Sequence, residues 1–167
     1  MAKKLLVFGG LALGALVACG APSPTDARAF LLAADPPSRV TVNGTAATGL
    51  MVIGQPVNLA SQQWLSANGA GRVELAIYAT PDEALAAMRT YQTSDRGAVL
   101  TNRTDLGIAA TMGNFPHYPS AVAFTFVRCS AVANIVVSDV AHSEVLAYAQ
   151  DLDRLLHTTR CADQEGA

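Results

Sequence analysis

The feature that most constrains this chain is a short apolar run near its start, which ends at a cysteine. Lys3 and Lys4 make the beginning positive, residues 5–17 are apolar or glycine, and Cys19 follows two positions later. A helix that spans a bilayer needs about 20 consecutive apolar residues, so this run is too short to cross one. A basic start, a short apolar centre and small residues before a cut are typical of a secretory signal peptide. We therefore expect residues 1–18 to be removed.

The end of the run, Leu16-Val17-Ala18-Cys19, resembles the lipobox of bacterial lipoproteins. In that family a diacylglycerol is attached to the cysteine thiol, the chain is cut before the cysteine, and the new amine is usually acylated, for example with palmitate. The resemblance implies that Cys19 begins the mature protein and anchors it to the cell membrane on the extracytoplasmic face. Two or three acyl chains hold stably, at about 0.8 kcal/mol per buried CH₂. The alternative is a secreted protein with an incidental cysteine near the cut.

Gly20 stands where an aspartate would resemble the inner-membrane retention signal of some Gram-negative bacteria. An outer-membrane location therefore stays open for a cell that has two membranes. Residues 19–25, with two prolines, predict a short lipidated tether. Residues 26–167 have the length of a single extracytoplasmic domain.

The charge of the mature chain excludes two kinds of partner. Removal of Lys3 and Lys4 from the eleven basic residues leaves nine, all arginine, against thirteen acidic residues, a net charge of −4. Nucleic acids are bound by basic surfaces, so a nucleic-acid partner is not expected. Anionic lipid headgroups also attract basic segments, so the lipid anchor rather than surface charge must hold the protein at the membrane.

The cysteine count predicts one disulfide bond. With Cys19 lipidated, Cys129 and Cys161 remain. Two cysteines in an oxidising compartment indicate a disulfide. The alternative is a metal-binding pair, but none of the three histidines has zinc-like spacing to either cysteine. We expect no metal and no cofactor.

Alternating apolar and polar residues predict strands in several places. Val73, Leu75 and Ile77 share one face of a strand over 72–79, and 121–129 with 133–140 form a hairpin. Shorter extended pieces are expected at 40–43, 50–53, 99–100 and 106–112. Asn43-Gly44 is typical of a turn, and the residues around Trp64 are ambiguous, although that ring is expected to pack in the core or at an edge.

Three segments predict helices, and each has a candidate cap. Thr25 precedes the first helix, which ends before Asp35-Pro36-Pro37. Thr80 and Glu83 form a capping box in which Glu83 should reach back to the Thr80 amide. Asp139 is the expected cap of the last helix, which starts at His142. The order of elements predicts an α+β domain, an antiparallel sheet with the helices packed on one face in two layers.

One loop carries a candidate recognition site. Phe115, His117 and Tyr118 lie between two predicted strands, with a proline on each side of His117-Tyr118. Exposed aromatic residues on a loop are typical of a recognition tip. The alternative, which we favour, is a loop that folds its own rings inward.

The sequence contains no recognisable catalytic motif. A Gly-x-Ser-x-Gly nucleophile elbow is absent. Ser138, Asp139 and His142 are close in sequence, but the members of a catalytic triad are brought together by the fold and not by adjacency. No catalytic residue is therefore assigned.

Several structural motifs are similar to those of small actinobacterial lipoproteins and, more distantly, of the extracellular sensor domains of mycobacterial serine/threonine kinases. The motifs are Leu31-Leu32 before Asp35-Pro36-Pro37, Ala79 to Ala84, Asp105-Leu106-Gly107, Phe126-Val127-Arg128 and Asn134 to Val137. Those sensor domains carry two disulfides, whereas one is available here. The resemblance implies a module that senses a ligand or binds a partner, and it transfers no functional residue.

The sequence thus favours a non-enzymatic lipoprotein that binds a small molecule or an envelope protein. An envelope hydrolase with an unrecognised site, or a structural envelope component, is the alternative. A roomy apolar pocket would favour a small molecule, and an exposed patch around Phe115, His117 and Tyr118 would favour a protein. A hydrolase would require the fold to bring a histidine and carboxylates together.

Overall fold

The computed structural model describes residues 26–49, 53–94 and 99–161. The predicted signal peptide, Cys19, the tether and most of the predicted strand at 50–53 lie outside these ranges. The elements, in chain order, are α1 (Ala27–Ala33), β1 (Thr41–Ala46), β2 (Asn58–Leu65), β3 (Ala70–Ile77), α2 (Pro81–Ser94), β4 (Val99–Arg103), β5 (Ala109–Phe115), β6 (Tyr118–Arg128), β7 (Ala131–Ser138), α3 (His142–Leu156) and a π-helical turn (His157–Cys161).

The strands form one antiparallel sheet in the order β1-β2-β3-β7-β6-β5-β4. Two consecutive groups of strands, β1 to β3 and β4 to β7, meet where β3 pairs with β7 from Gly71↔Val137 to Ile77↔Ala131. The hairpin predicted from 121–129 and 133–140 is confirmed as β6 and β7. Together with the three helices, the sheet confirms the predicted α+β class.

One face of the sheet carries the main core, beneath α1 and α3. Alternate side chains of a strand point to opposite faces, and the predicted set Val73, Leu75 and Ile77 is fully buried on this face. Trp64 is buried there too, with its ring edge-on to Tyr148 at a centroid distance of 4.7 Å. Its indole N–H donates to Gln62 Oε1 at 2.7 Å, so the buried polar group is satisfied.

Helix α2 lies on the opposite face, so the prediction that all helices share one face is wrong. Its buried residues pack against alternate positions of the central strands that point away from the main core. These positions are Ala76 of β3, Val127 of β6 and Val132 of β7, together with Tyr78 directly after β3. The reason is that the central strands are apolar on both sides, which a single helical layer could not cover.

The caps differ from the predictions by one or two residues. Asp26, rather than Thr25, caps α1, because its carboxylate accepts the amides of Arg28 and Ala29. Thr80 accepts the Glu83 amide as predicted, but Glu83 Oε2 accepts the amide of Ala79 at 3.2 Å instead of that of Thr80. The Asp26 carboxylate and the Thr80 hydroxyl thereby satisfy donors that the first turn of a helix leaves unpaired, whereas Glu83 binds an amide just before the helix.

Asp139 is not the cap of α3. The N-cap residue is Ala141, and it makes no side-chain hydrogen bond. Asp139 instead has a φ of +58°, in the left-handed region that tolerates Asp better than most residues. It occupies the sharp bend between β7 and α3.

The predicted Asn43-Gly44 turn is also wrong. Gly44 lies inside β1, where the register with β2 shifts between Val42 and Gly44. A bulge of this kind twists an exposed edge strand and discourages pairing with another chain.

Cys129 and Cys161 lie at disulfide distance, with Cα atoms 5.8 Å apart. Cys129 sits in the β6–β7 turn, and Cys161 ends the turn that follows α3. The neighbouring Arg160 is buried and donates to Ser130 Oγ at 3.0 Å and to the Tyr78 carbonyl at 3.2 Å. The turn that follows α3 is therefore held against the end of the sheet by contacts of both Arg160 and Cys161.

Loss of the cysteine pair should destabilise the domain. Replacement of both Cys129 and Cys161 by serine is expected to lower the free energy of unfolding by about 3–4 kcal/mol, because a bond across 32 residues restricts the unfolded chain. Urea unfolding measures the change, and a mass two hydrogens below the reduced value checks for the bond in the unaltered protein. An unaltered protein whose stability does not respond to a thiol reductant would contradict the prediction.

Two buried tyrosines should respond in opposite ways to loss of their hydroxyls. The Tyr148 hydroxyl is buried and has no hydrogen-bond partner among the described residues, whereas the Tyr78 hydroxyl donates to the Ile53 carbonyl at 2.6 Å. Tyr148→Phe should stabilise the protein by about 1 kcal/mol, and Tyr78→Phe should destabilise it by about the same amount. Chemical unfolding of both variants tests this, and equal destabilisation would show that Tyr148 has a partner.

Candidate functional site

The sheet face under α2 differs from the core face, because a row of polar residues crosses it. Cross-strand pairs place these residues side by side on neighbouring strands, from β2 to β4. We call this set the polar row: Ser61, Glu74, Asn134, Thr125, Thr111 and Asn102. Apolar residues such as Ala76 and Val132 lie beside it under α2.

The centre of the polar row is buried. Glu74 is 2% exposed, and Thr111 and Asn134 are also buried. Glu74 Oε1 lies 3.3 Å from Arg72 Nε, and the Thr125 hydroxyl donates to Asn134 Oδ1 at 3.0 Å. Buried polar groups cost stability unless they are paired, and apolar side chains would cover a sheet at lower cost. Stability alone therefore does not account for polar side chains at these buried positions.

The charges of Glu74 and Arg72 also act on the phenol of Tyr91 in α2. Burial raises its pKa well above the usual range, and the negative charge of Glu74 raises it further, while Arg72 acts in the opposite direction. The phenol is therefore neutral at physiological pH. The site thus combines a neutral phenol, a carboxylate and a guanidinium on a mostly apolar surface.

A groove of about 500 Å³ opens beside this charged pair. We call it the Arg72 groove, and it is lined by Gln63, Trp64, Leu65, Ala70, Gly71, Arg72 and Val136. Leu65 is 46% exposed, which leaves an apolar wall open to solvent. A smaller cavity of about 40 Å³ shares Val136 with the groove and reaches Tyr91, Thr125 and Asn134.

A second cavity, of about 520 Å³, lies beside α2, between Glu83 and Thr90. We call it the Tyr78 cavity, and it is lined by Ile53, Gly54, Gln55, Tyr78, Ala79, Glu83, Ala86, Ala87 and Thr90. Burial raises the pKa of Tyr78 to about 12, so its phenol is neutral at physiological pH. Both large cavities are within the size range of small-molecule sites.

The predicted aromatic loop is the tip of a tight hairpin. Phe115 ends β5 and pairs with Tyr118 at the start of β6. Tyr118 is 70% exposed and His117 is exposed, so these rings do not fold inward, whereas Phe115 is half-buried. The exposed rings keep the tip as a candidate contact surface, separate from the Arg72 groove and the Tyr78 cavity.

Ser138 has a structural position. Its hydroxyl accepts the Ala70 amide at 3.3 Å and donates to the Ala70 carbonyl at 3.2 Å, which ties the start of β3 to the end of β7. A side chain at Gly69 would approach Ser138 Oγ to 2.2 Å, so the close approach requires glycine. This contact accounts for the serine without a catalytic role.

Within the described ranges, no group of three or more histidine, cysteine, aspartate or glutamate residues could hold a metal ion. Within the same ranges, every helix is too short or too polar to span a bilayer. No protein-family model, curated protein or solved structure matches this chain at a significant level.

Sequence reasoning missed the polar row and both cavities. Arg72 and Glu74 alternate with Val73 and Leu75, a pattern that normally indicates a solvent-facing side. The available signal was the next part of the strand, where Ala76 and Tyr78 continue the supposed outer face with apolar residues. This change from polar to apolar residues indicates that another element covers this face of the strand. A charged pair is unusual on a covered face.

Proposed function

We propose that this protein is an extracytoplasmic lipoprotein, anchored through Cys19, whose domain binds a small amphipathic molecule in the Arg72 groove. The observation that carries the binding proposal is the Arg72–Glu74 pair beside an open, mostly apolar groove of about 500 Å³. A fold alone does not require a charged pair at this position. The anchor rests on the lipobox resemblance of Leu16 to Cys19.

Arg72 supplies the polar contact in this proposal. Its Nε faces Glu74, and a guanidinium carries five N–H donors in a planar fork. The side chain is 26% exposed, so the head group of a ligand can approach it from the groove. An acceptor head group such as a carboxylate or an amide carbonyl matches this donor set, because arginine binds planar acceptors in a bidentate manner.

Leu65 and Val136 supply the apolar contact. Both line the groove, and Leu65 exposes nearly half of its surface. Removal of apolar area from water contributes about 25 cal/mol per Å². A ligand with a short apolar body and one acceptor group would therefore cover the exposed leucine and bind the guanidinium together.

The groove lies far from the point at which the proposed tether joins the domain. The Ala27 amide donates to Asn58 Oδ1 at 3.0 Å, so the folded domain begins beside the Ile77 end of β3. At about 3.3 Å per residue, Arg72 lies about 17 Å farther along that strand.

A protein partner at the hairpin tip is the second candidate function. The observation that favours it is the 70% exposure of Tyr118 beside the exposed His117. Tyrosine is enriched at the centres of protein interfaces, because it buries a large ring and keeps a hydrogen-bonding group. The tip and the groove do not share residues, so variants can separate the two functions.

The anchor is tested by the native mass of the protein extracted from its own membrane with a mild detergent. The expected mass starts at Cys19 and includes the diacylglycerol and acyl chain. Cys19→Ser should keep residues 1–18 and lack the lipid mass, because the thiol that accepts the lipid is missing. An unaltered protein that is cut near residue 18 but carries no lipid would refute anchoring.

Ligand binding is tested in the same spectra. A small molecule that co-purifies with the protein should be lost, or bound at least tenfold more weakly, in Arg72→Gln, while Arg28→Gln on the exposed side of α1 retains it. Arg72→Gln also removes the partner of Glu74 and could therefore disturb the fold. Ala70→Trp serves as the control, because it blocks the groove and keeps the Arg72–Glu74 pair. A bound mass that both groove variants keep would place the ligand elsewhere, and no bound mass would favour the protein partner.

A further inference from the structure

The Tyr78 cavity has a chemistry different from that of the Arg72 groove. Its apolar surface comes from Ile53, Ala86 and Ala87, with Gln55 and Thr90 at its edges. Among the described residues that line it, Glu83 is the one acidic residue, and none is basic. The guanidinium of Arg160 contacts the Tyr78 carbonyl and is not part of the lining.

Both walls of the cavity are fixed by hydrogen bonds. On one side, the Tyr78 hydroxyl donates to the Ile53 carbonyl at 2.6 Å. On the other side, Thr80 and Glu83 cap the first turn of α2 at 3.2 Å each. Behind Tyr78, Arg160 donates to its carbonyl at 3.2 Å. The site is therefore formed in advance, which lowers the ordering cost of binding.

The electrostatics of the cavity favour a cation. The N-terminus of a helix carries about half a positive charge. Asp82 and Glu83, both in the first turn of α2, carry full negative charges that exceed it. A carboxylate that already accepts one amide still has lone pairs for a second donor. An ammonium group beside Glu83 would find an acceptor there, whereas an anion would meet a like charge.

We propose that the Tyr78 cavity is a second ligand site, for a small organic amine with an aromatic or short aliphatic body. The ammonium group would lie against the Glu83 carboxylate and the apolar body against Ile53, Ala86 and Ala87. The volume of about 520 Å³ accommodates a molecule of this size. This site shares no lining residue with the Arg72 groove, so the two proposals stand independently.

Three matched probes test the proposal on the lipidated mature protein in detergent at low ionic strength. They are 2-phenylethylammonium, 2-phenylethanol and 3-phenylpropionate, which share a phenyl body and differ in the charge of the head group. Isothermal titration or ligand-observed NMR gives each dissociation constant. The expected order of affinity is amine, then alcohol, then carboxylate, with the amine about three- to fivefold tighter than the alcohol.

Two variants locate the site. Glu83→Gln keeps an oxygen that can accept the Ala79 amide, so the helix start is preserved while the charge is lost. It should remove the three- to fivefold advantage of the amine and leave the affinity for the alcohol unchanged. Ala86→Trp fills the cavity from an exposed position and should abolish binding of all three probes. Arg89→Trp places the same indole at another exposed position of α2 and should retain binding.

Three outcomes with the probes and Glu83→Gln would overturn the proposal, and a fourth comes from the two tryptophan variants. The first three are a carboxylate that binds as tightly as the amine, an amine preference that Glu83→Gln leaves intact, and no probe binding at millimolar concentration. Ala70→Trp in the Arg72 groove should not change any of the three constants. If Ala70→Trp but not Ala86→Trp removes probe binding, the amine occupies the Arg72 groove and the second site does not exist.

Discussion

The pairing of β3 with β7 is the contact on which the rest of the structure depends. It joins two groups of strands that are far apart in sequence, and each group by itself would leave an apolar edge unpaired. Gly71 is required there, because a side chain would come within 2.7 Å of Val137. Ser138 ties down one end of the junction through Ala70, and Arg160 with the cysteine pair holds the other end.

This junction gives the two sheet faces different roles. The face under α1 and α3 is packed mainly with apolar side chains, and the buried Gln62 on it is bonded to Trp64, Thr45 and the Leu31 carbonyl. The other face is covered by one helix that runs across part of its width. The polar row and both large cavities lie on that side, where packing does not use the whole surface.

The two cavities differ in the sign of the charge that each presents. Arg72 is partly exposed at one of them, and Glu83 is exposed at the other. Each charge has a structural partner, Glu74 in the first case and the Ala79 amide in the second. The structural partner positions the charged group, which also lines the cavity. The opposite ligand charges that we propose for the two cavities rest on this arrangement.

Much of the fold could be predicted because its signals are local. The alternation at Val73, Leu75 and Ile77 identified β3, and the Thr80-Pro81 start identified α2. The predicted cap of α1 was wrong because two adjacent residues, Thr25 and Asp26, can both act as an N-cap. The Asn43-Gly44 pair was misassigned because a glycine with a positive φ serves a bulge as well as a turn.

The candidate sites could not be predicted in the same way. Glu74 and Asn134 are neighbours because β3 pairs with β7, and no local pattern encodes that register. The face on which α2 lies decides whether Arg72 and Glu74 meet water or a helix. Cys129 and Cys161 could be matched by elimination, but Arg160, which supports Tyr78 beside them, had no sequence signal.

The sequence by itself determined the α+β class and most of the strands and helices, and it carries the expectation of cleavage and anchoring at Cys19. These depend on the order and spacing of neighbouring residues, which set backbone preference and amphipathic faces. The tertiary structure decided which face α2 covers, which polar residues become buried and where cavities remain. The physical reason is that these properties depend on contacts between residues far apart in the chain, which exist only once β3 and β7 have paired.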